Sequence, residues 1–311
     1  MFFFEYHFHG CAGHKTIELN RGAYEAISRF LLERGQTDAF LATFSAAPVE
    51  SLVEALDFCR SLMEGNPLPG AQLAGVYLEG PFLSNAGGMT EALLLKPSLA
   101  EARRLLAAGR GIVKSIAIAP ELPGAFEVIE LFASEGIRVS AGHFNCSPEC
   151  LKEAVKCGLS GITHFCDNGE ASLVSVNGMY KTDGPFLEIL ADDRLTVEMI
   201  CDGVHVDPRL LKAVWRIKGR ERFIAITDGC AASGIPGKRL SFPDPAGAMA
   251  DFDVKNGALY IADTDQLVGS LSTMDVIYNN LMKFCTMSAE DAEYVCSALP
   301  RKLVFQQGWK L

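Results

Sequence analysis

The chain has no uninterrupted apolar run of the ~18 residues that a membrane-spanning helix needs, so no segment is expected to cross a bilayer. The phenylalanines of the opening MFFFEYHFHG are few and Glu5 interrupts them, so they do not read as a secretory signal. No block of lysine and arginine occurs. With 28 basic residues against 38 acidic ones and a formal net charge of −10, nucleic acid is excluded as the expected partner. There is no Cys-x-x-Cys pair among the ten cysteines, which read as reduced thiols in a cytoplasmic protein. Cys146 and Cys150 flank Ser-Pro-Glu where a helix should start, which argues against a structural zinc knot there, while Cys11, Cys201 and Cys230 lie close to motifs and read as small core side chains. No Gly-x-Gly-x-x-Gly opens a helix, which removes the usual signature of a dinucleotide-binding open sheet.

What is present is a chain of 311 residues, 49% of them hydrophobic, enough for one large core. Short β-rich runs at 2–6, 38–44, 73–79, 113–119, 137–141, 160–164, 195–201 and 222–227 alternate with segments of 3.6-residue apolar period. Gly35, Gly109, Gly136 and Gly158 stand where helices should end. Ser147 is placed to cap a helix that has Pro148 and Glu149 in its first turn. Eight strands alternating with helices predict a parallel (β/α)8 barrel, α/β in class, as a single domain over 1–311. Residues 236–268 break the rhythm with Pro, Gly and a Lys-Asn-Gly turn, and predict a hairpin excursion after the eighth strand.

The six histidines all fall outside the expected helices. His7 and His9 follow the first strand, and residues i and i+2 of a strand share a face. His143 follows the fifth strand, His164 ends the sixth and His205 follows the seventh. Glu79 ends the third strand and Asp228 follows the eighth. A parallel barrel gathers these strand ends on its catalytic face. Imidazole and carboxylate donors with few thiolates suit Zn²⁺ or Fe²⁺ with a position left open for water. A bound ion lowers the pKa of water toward ~7 and supplies a hydroxide nucleophile, while a nearby aspartate relays the proton. The residues therefore point to metal-assisted hydrolysis without naming the substrate.

The stretches HFHGCAG, GVYLEGPFLS, IAPE, VSAGHFNCS, GITHFCDN, CDGVHVD, AITDG and LVGSLSTM occur in that order. With them the chain resembles the amidohydrolase superfamily and, within it, the N-acetylglucosamine-6-phosphate deacetylase family. The resemblance implies removal of the acetyl group from an N-acetylated amino sugar, with the 6-phosphate of N-acetylglucosamine as the foremost substrate. Glu79, His143 and His164 match the family's metal ligands. Asp228 matches the aspartate that activates water and protonates the leaving amine. His205 matches a histidine that contacts the sugar phosphate. His7 and His9 match the His-x-His that holds a second ion in members with two metals, so one or two divalent ions are expected. Members are commonly dimers, which makes a homodimer the expected assembly.

Departures fall in the part that reads the substrate. The family usually carries an accessory β-sandwich, and a chain opening at the first strand is expected to lack it. Asp167 occupies the position of a family asparagine unless a one-residue slip brings Asn168 there, and a carboxylate would repel a phosphate. Lys181 stands where an arginine usually grips phosphate; it keeps the charge and loses the bidentate fork. Backbone N–H groups around Asn168 and Gly169 are further candidate phosphate donors. The alternatives are an amidohydrolase for another N-acyl or cyclic amide, and a catalytically idle barrel that binds sugar phosphate.

Overall fold

The computed structural model describes residues 1–167, 173–176, 179–182, 184–243 and 249–305. Eight parallel strands lie side by side in sequence order: β1 (Phe3–Glu5), β2 (Thr37–Ser45), β3 (Gln72–Glu79), β4 (Val113–Ile118), β5 (Arg138–Ala141), β6 (Leu159–Ile162), β7 (Thr196–Ile200) and β8 (Phe223–Ile226). Their residues are buried on both faces, as in β2, where TDAFLATFS has no exposed position. Near-continuous apolar runs of this kind belong to parallel sheets covered by helices. The ends of the sheet meet just past β1 and β8. Phe8 and Gly229 form a parallel bridge there, His9 N–H donates to Gly229 O at 2.8 Å, and Asp228 N–H donates to His7 O at 3.2 Å. The eight strands thus form the expected (β/α)8 barrel.

Helices α1 (Arg21–Gly35), α2 (Val49–Glu64), α3 (Leu99–Ala108), α4 (Ala125–Ser134), α5 (Pro148–Lys156), α6 (Phe186–Ala191), α7 (Pro208–Lys218) and α8 (Met274–Asn280) surround the strands. The larger apolar cluster fills the space between strands and helices. A second cluster, with Phe4, Tyr6, Leu41, Tyr77, Ala117, Ile224 and Ile226, fills the barrel itself. Leu299, Leu303 and Phe305 from the last helical segment close its lower end, the Phe305 ring meeting Phe4 edge-on at 5.8 Å. Ser147 caps α5 as expected, its Oγ accepting from Cys150 N–H. One glycine expectation changes: Gly35 is the last residue of α1, and Gln36 caps it in the left-handed conformation (φ 50°). Gly109 closes α3 as expected, with a negative φ, and a Cβ there would lie 2.3 Å from Val113 Cγ2.

The excursion after β8 is more than a hairpin. Four strands, β9 (Arg239–Pro243), β10 (Met249–Lys255), β11 (Ala258–Ile261) and β12 (Leu267–Ser270), form an antiparallel sheet in sequence order. Its last strand returns to the barrel: Ser270 N–H donates to Asp228 O and Cys230 N–H to Ser270 O, both at 3.2 Å. A separate hairpin, Leu173–Val176 with Met179–Thr182, lies between β6 and β7. No helix among the described residues is long and apolar enough to cross a membrane.

Candidate metal centre

Glu79, the last residue of β3, is the hub of the upper barrel. Its Oε1 lies 2.9 Å from His164 Nε2, 3.2 Å from His143 Nε2 and 3.4 Å from His7 Nε2, and its Oε2 lies 3.2 Å from His9 Nε2. Asp228 Oδ1 faces the same space, 3.3 Å from His9 Nε2 and 3.5 Å from His7 Nε2. Six residues from five different strand ends therefore converge at one point. Three of them reach it through strained backbone: His143 (φ 49°), His164 (φ 28°) and Asp228 (φ 50°) are all left-handed, a conformation that costs a non-glycine residue ~1–3 kcal/mol. Each strand breaks its extended path there and turns its side chain into the barrel mouth.

The donor set fits a divalent cation. Two triplets, His7–His9–Asp228 and His7–Glu79–His164, each have ligand atoms within 4.8 Å of one another, and His7 belongs to both. Without a cation the same atoms must share protons. Burial opposes charge on His7, but hydrogen bonds and charge from Glu198, Glu79 and Asp228 prevail and hold its pKa well above the usual imidazole value. By the same opposition His9 is raised to about 8 and His164 to about 9. Burial would raise the carboxyl of Asp228, yet the His9 hydrogen bond and the charges of His7, His9 and His164 hold it far below the carboxylate range. Glu79 is depressed in the same way, chiefly by His9, His143 and His164 working against burial.

Each imidazole whose second nitrogen is described is held by a specific partner. His7 Nδ1 meets Glu198 Oε2 at 3.1 Å, His9 Nδ1 meets Ser45 Oγ at 3.0 Å, and His143 Nδ1 meets Asn85 Oδ1 at 3.3 Å. His205 stands apart from the cluster; its Nδ1 lies 2.6 Å from Asp202 Oδ2, whose other oxygen accepts from the amides of Val204 and His205. That pairing overcomes burial and raises the pKa of His205. Asp167 is raised by burial, with the charges of His164 and His205 pulling it the other way, so its carboxyl shares their surroundings. Asn168 and Gly169 lie outside the described residues. Of Lys181 the described part is its backbone, paired with Val174 in the Leu173–Thr182 hairpin. His14 pairs with Glu18 at the surface, 3.1 Å away.

Sequence reasoning missed Glu198, Asp202, Asn85 and Ser45, the residues that orient the histidines. For Glu198 a signal existed, a lone acid inside the apolar LTVEMIC run. Asp202 sat in a quoted motif, CDGVHVD, three residues before the histidine it holds.

No family model matches the chain. An N-acetylgalactosamine-6-phosphate deacetylase of Escherichia coli O157:H7 is 26% identical over 307 residues, covering 97% of this chain and 77% of that protein. The N-acetylglucosamine-6-phosphate deacetylase of Vibrio furnissii is 29% identical over 298 residues, covering 94% of this chain and 70% of that protein. Among solved structures, a mutant N-acetyl-D-glucosamine-6-phosphate deacetylase of Mycobacterium smegmatis, in complex with N-acetyl-D-glucosamine-6-phosphate, superposes with a TM-score of 0.83. It is 27% identical, and the match covers 97% of this chain and 76% of that one. Ordered motifs, barrel and relatives agree: over nearly its whole length the chain is similar to N-acetylglucosamine-6-phosphate and N-acetylgalactosamine-6-phosphate deacetylases.

Proposed function

We propose that this protein hydrolyses the acetamide of an N-acetylated amino sugar 6-phosphate, N-acetylglucosamine 6-phosphate first and its galactose epimer second. The observation that carries the reading is the meeting of four imidazole nitrogens on Glu79 beside the ionised Asp228. Glu79, His143 and His164 would hold the catalytic ion, and His7 and His9 a second. A divalent cation there supplies an acidified water and polarisation of the amide carbonyl. The ion is zinc or ferrous iron, one or two per chain, and the protein works as a cytoplasmic homodimer.

The chain's own residues do the rest. Asp228 is unprotonated before attack, so its carboxylate takes the proton of the attacking water and returns it to the departing amine nitrogen. His205, whose pKa is raised by its pairing with Asp202 against the effect of burial, would contribute positive charge toward the phosphate when protonated. Lys181 and the backbone N–H groups around Asn168 and Gly169 complete the proposed phosphate contacts. Asp167 favours a second reading, a neutral N-acetyl sugar, because its carboxyl shares the surroundings of His205.

Acetate release from N-acetylglucosamine 6-phosphate, N-acetylgalactosamine 6-phosphate and their unphosphorylated forms decides between the two. Faster turnover of the phosphorylated pair is expected. Equal rates with and without phosphate would replace the first reading by the second, and no acetate from any of the four would remove both.

A further inference from the structure

We propose that Glu198 is the positioning residue that makes His7 a metal ligand, and with it the second metal position of the site; this rests on the metal-centre reading given above. Glu198 is fully buried in β7, as are its neighbours His7, Tyr77 and Ser140. Barrel interiors are normally filled with branched apolar side chains. A carboxyl group placed among them is costly unless donors surround it. Here they do. Glu198 Oε1 accepts from Tyr77 O–H at 3.1 Å and from Ser140 O–H at 3.2 Å, and Oε2 faces His7 Nδ1 at 3.1 Å. Tyr77 O is tied in turn to Thr163 Oγ1 at 2.7 Å, so the carboxyl group cannot swing away.

The consequence for His7 is chemical. With the Tyr77 and Ser140 hydroxyls donating to Oε1, Oε2 is the oxygen offered to His7 as an acceptor, so the ring nitrogen that faces it is the one carrying hydrogen. Nδ1 is therefore protonated, and the lone pair of a neutral His7 is left on Nε2. That nitrogen looks into the cluster, 3.3 Å from His9 Nε2, 3.4 Å from Glu79 Oε1 and 3.5 Å from Asp228 Oδ1. The neighbouring imidazoles are held differently. His9 and His143 have a hydroxyl and an amide oxygen at the equivalent nitrogen, so the carboxyl constraint falls on His7. Partners of this kind typically change metal affinity by ~10–100-fold.

Metal-free wild-type protein, Glu198→Gln, Glu198→Leu and His7→Ala are each titrated with zinc against a chelator, and bound zinc is counted by elemental analysis. Long-range ¹H–¹⁵N spectra of the histidine rings report which nitrogen of His7 carries hydrogen, and circular dichroism reports folding. Wild type is expected to bind two zinc ions with hydrogen on His7 Nδ1. Glu198→Leu should bind the first ion as wild type does and the second ~10–100-fold more weakly, as His7→Ala does. Glu198→Gln, which keeps the volume, decides the matter should the leucine variant not fold. Two ions bound at wild-type affinity in Glu198→Gln with the His7 tautomer unchanged overturns the proposal, as does saturation of wild type at one ion. These readouts need no substrate. A wild type that binds two ions yet releases no acetate counts against the deacetylase reading alone.

Discussion

The amide of Asp228 donates to the carbonyl of His7 across 3.2 Å, so the barrel is closed at the residues that carry the candidate site. The next link in the seam, His9 N–H to Gly229 O at 2.8 Å, is made by the second histidine of the pair. An ion held by side chains from both sides of this seam would cross-link the first strand to the last. Binding to the folded chain alone stabilises it by mass action, ~2.7 kcal/mol at a free ion concentration 100 times the dissociation constant. Thermal melts with zinc and with chelator should differ by several degrees, and His7→Ala should shrink that difference. Identical melting temperatures with and without zinc would mean that no ion spans the seam.

His143 and Glu79 lie 3.2 Å apart, and His164 is closer still at 2.9 Å. Replacing Glu79, His143 or His164 with alanine is expected to remove most bound metal and activity while circular dichroism still reports a folded barrel. His9→Ala, like His7→Ala, should cost at most one equivalent of metal. Full metal content in His143→Ala would take that residue out of the ligand set.

Asp228→Asn keeps size and loses the ability to accept a proton. Turnover should fall by ~10²-fold or more, the range of general acid–base catalysis, with metal retained by the other ligands. Single-turnover acetate release together with metal analysis checks both halves. Near-normal turnover would move the proton relay to another group.

Metal and protons compete for the same imidazole nitrogens. With His9 raised to about 8 and His164 to about 9 in the metal-free protein, these two carry protons at pH 7, and His7 is shifted in the same direction by Glu198, Glu79 and Asp228. Zinc binding must therefore release protons, and apparent affinity should climb as pH rises from 6 and level off above about 9. Calorimetry in buffers of different ionisation enthalpy counts the protons. Affinity independent of pH across this window would show that the histidines are already neutral.

Under the proposed function, Asp167 opposes and Lys181 favours binding of the phosphate. Lys181→Ala should raise KM for the phosphorylated sugar much more than for its unphosphorylated counterpart. Asp167→Asn should improve use of the phosphorylated form by relieving repulsion. Steady-state kinetics on both sugars reads the two effects. If neither change discriminates between them, the substrate is a neutral N-acetyl compound and Asp167 accepts hydrogen bonds from its hydroxyls.

Alternating β-rich runs and helical periods determined the barrel from the amino acids alone, because a strand buried on both faces must be apolar along its length. Placement of Glu79, His7, His9, His143, His164 and Asp228 at strand ends was equally legible, since a parallel barrel brings all its carboxyl ends to one face. The rest depended on contacts between residues far apart in the chain. Glu198 lies 191 residues from His7, and nothing in LTVEMIC tells whether its one acid faces solvent or an imidazole; strand register and barrel closure decide that. The excursion is a four-stranded sheet whose last strand, ending at Ser270, bonds to the backbone around Asp228, a long-range pairing that local pattern does not encode. Local pattern encodes which residues are strand and which are buried. Only closure of the barrel chooses which nitrogen of His7 meets a carboxyl group and which is left for an ion.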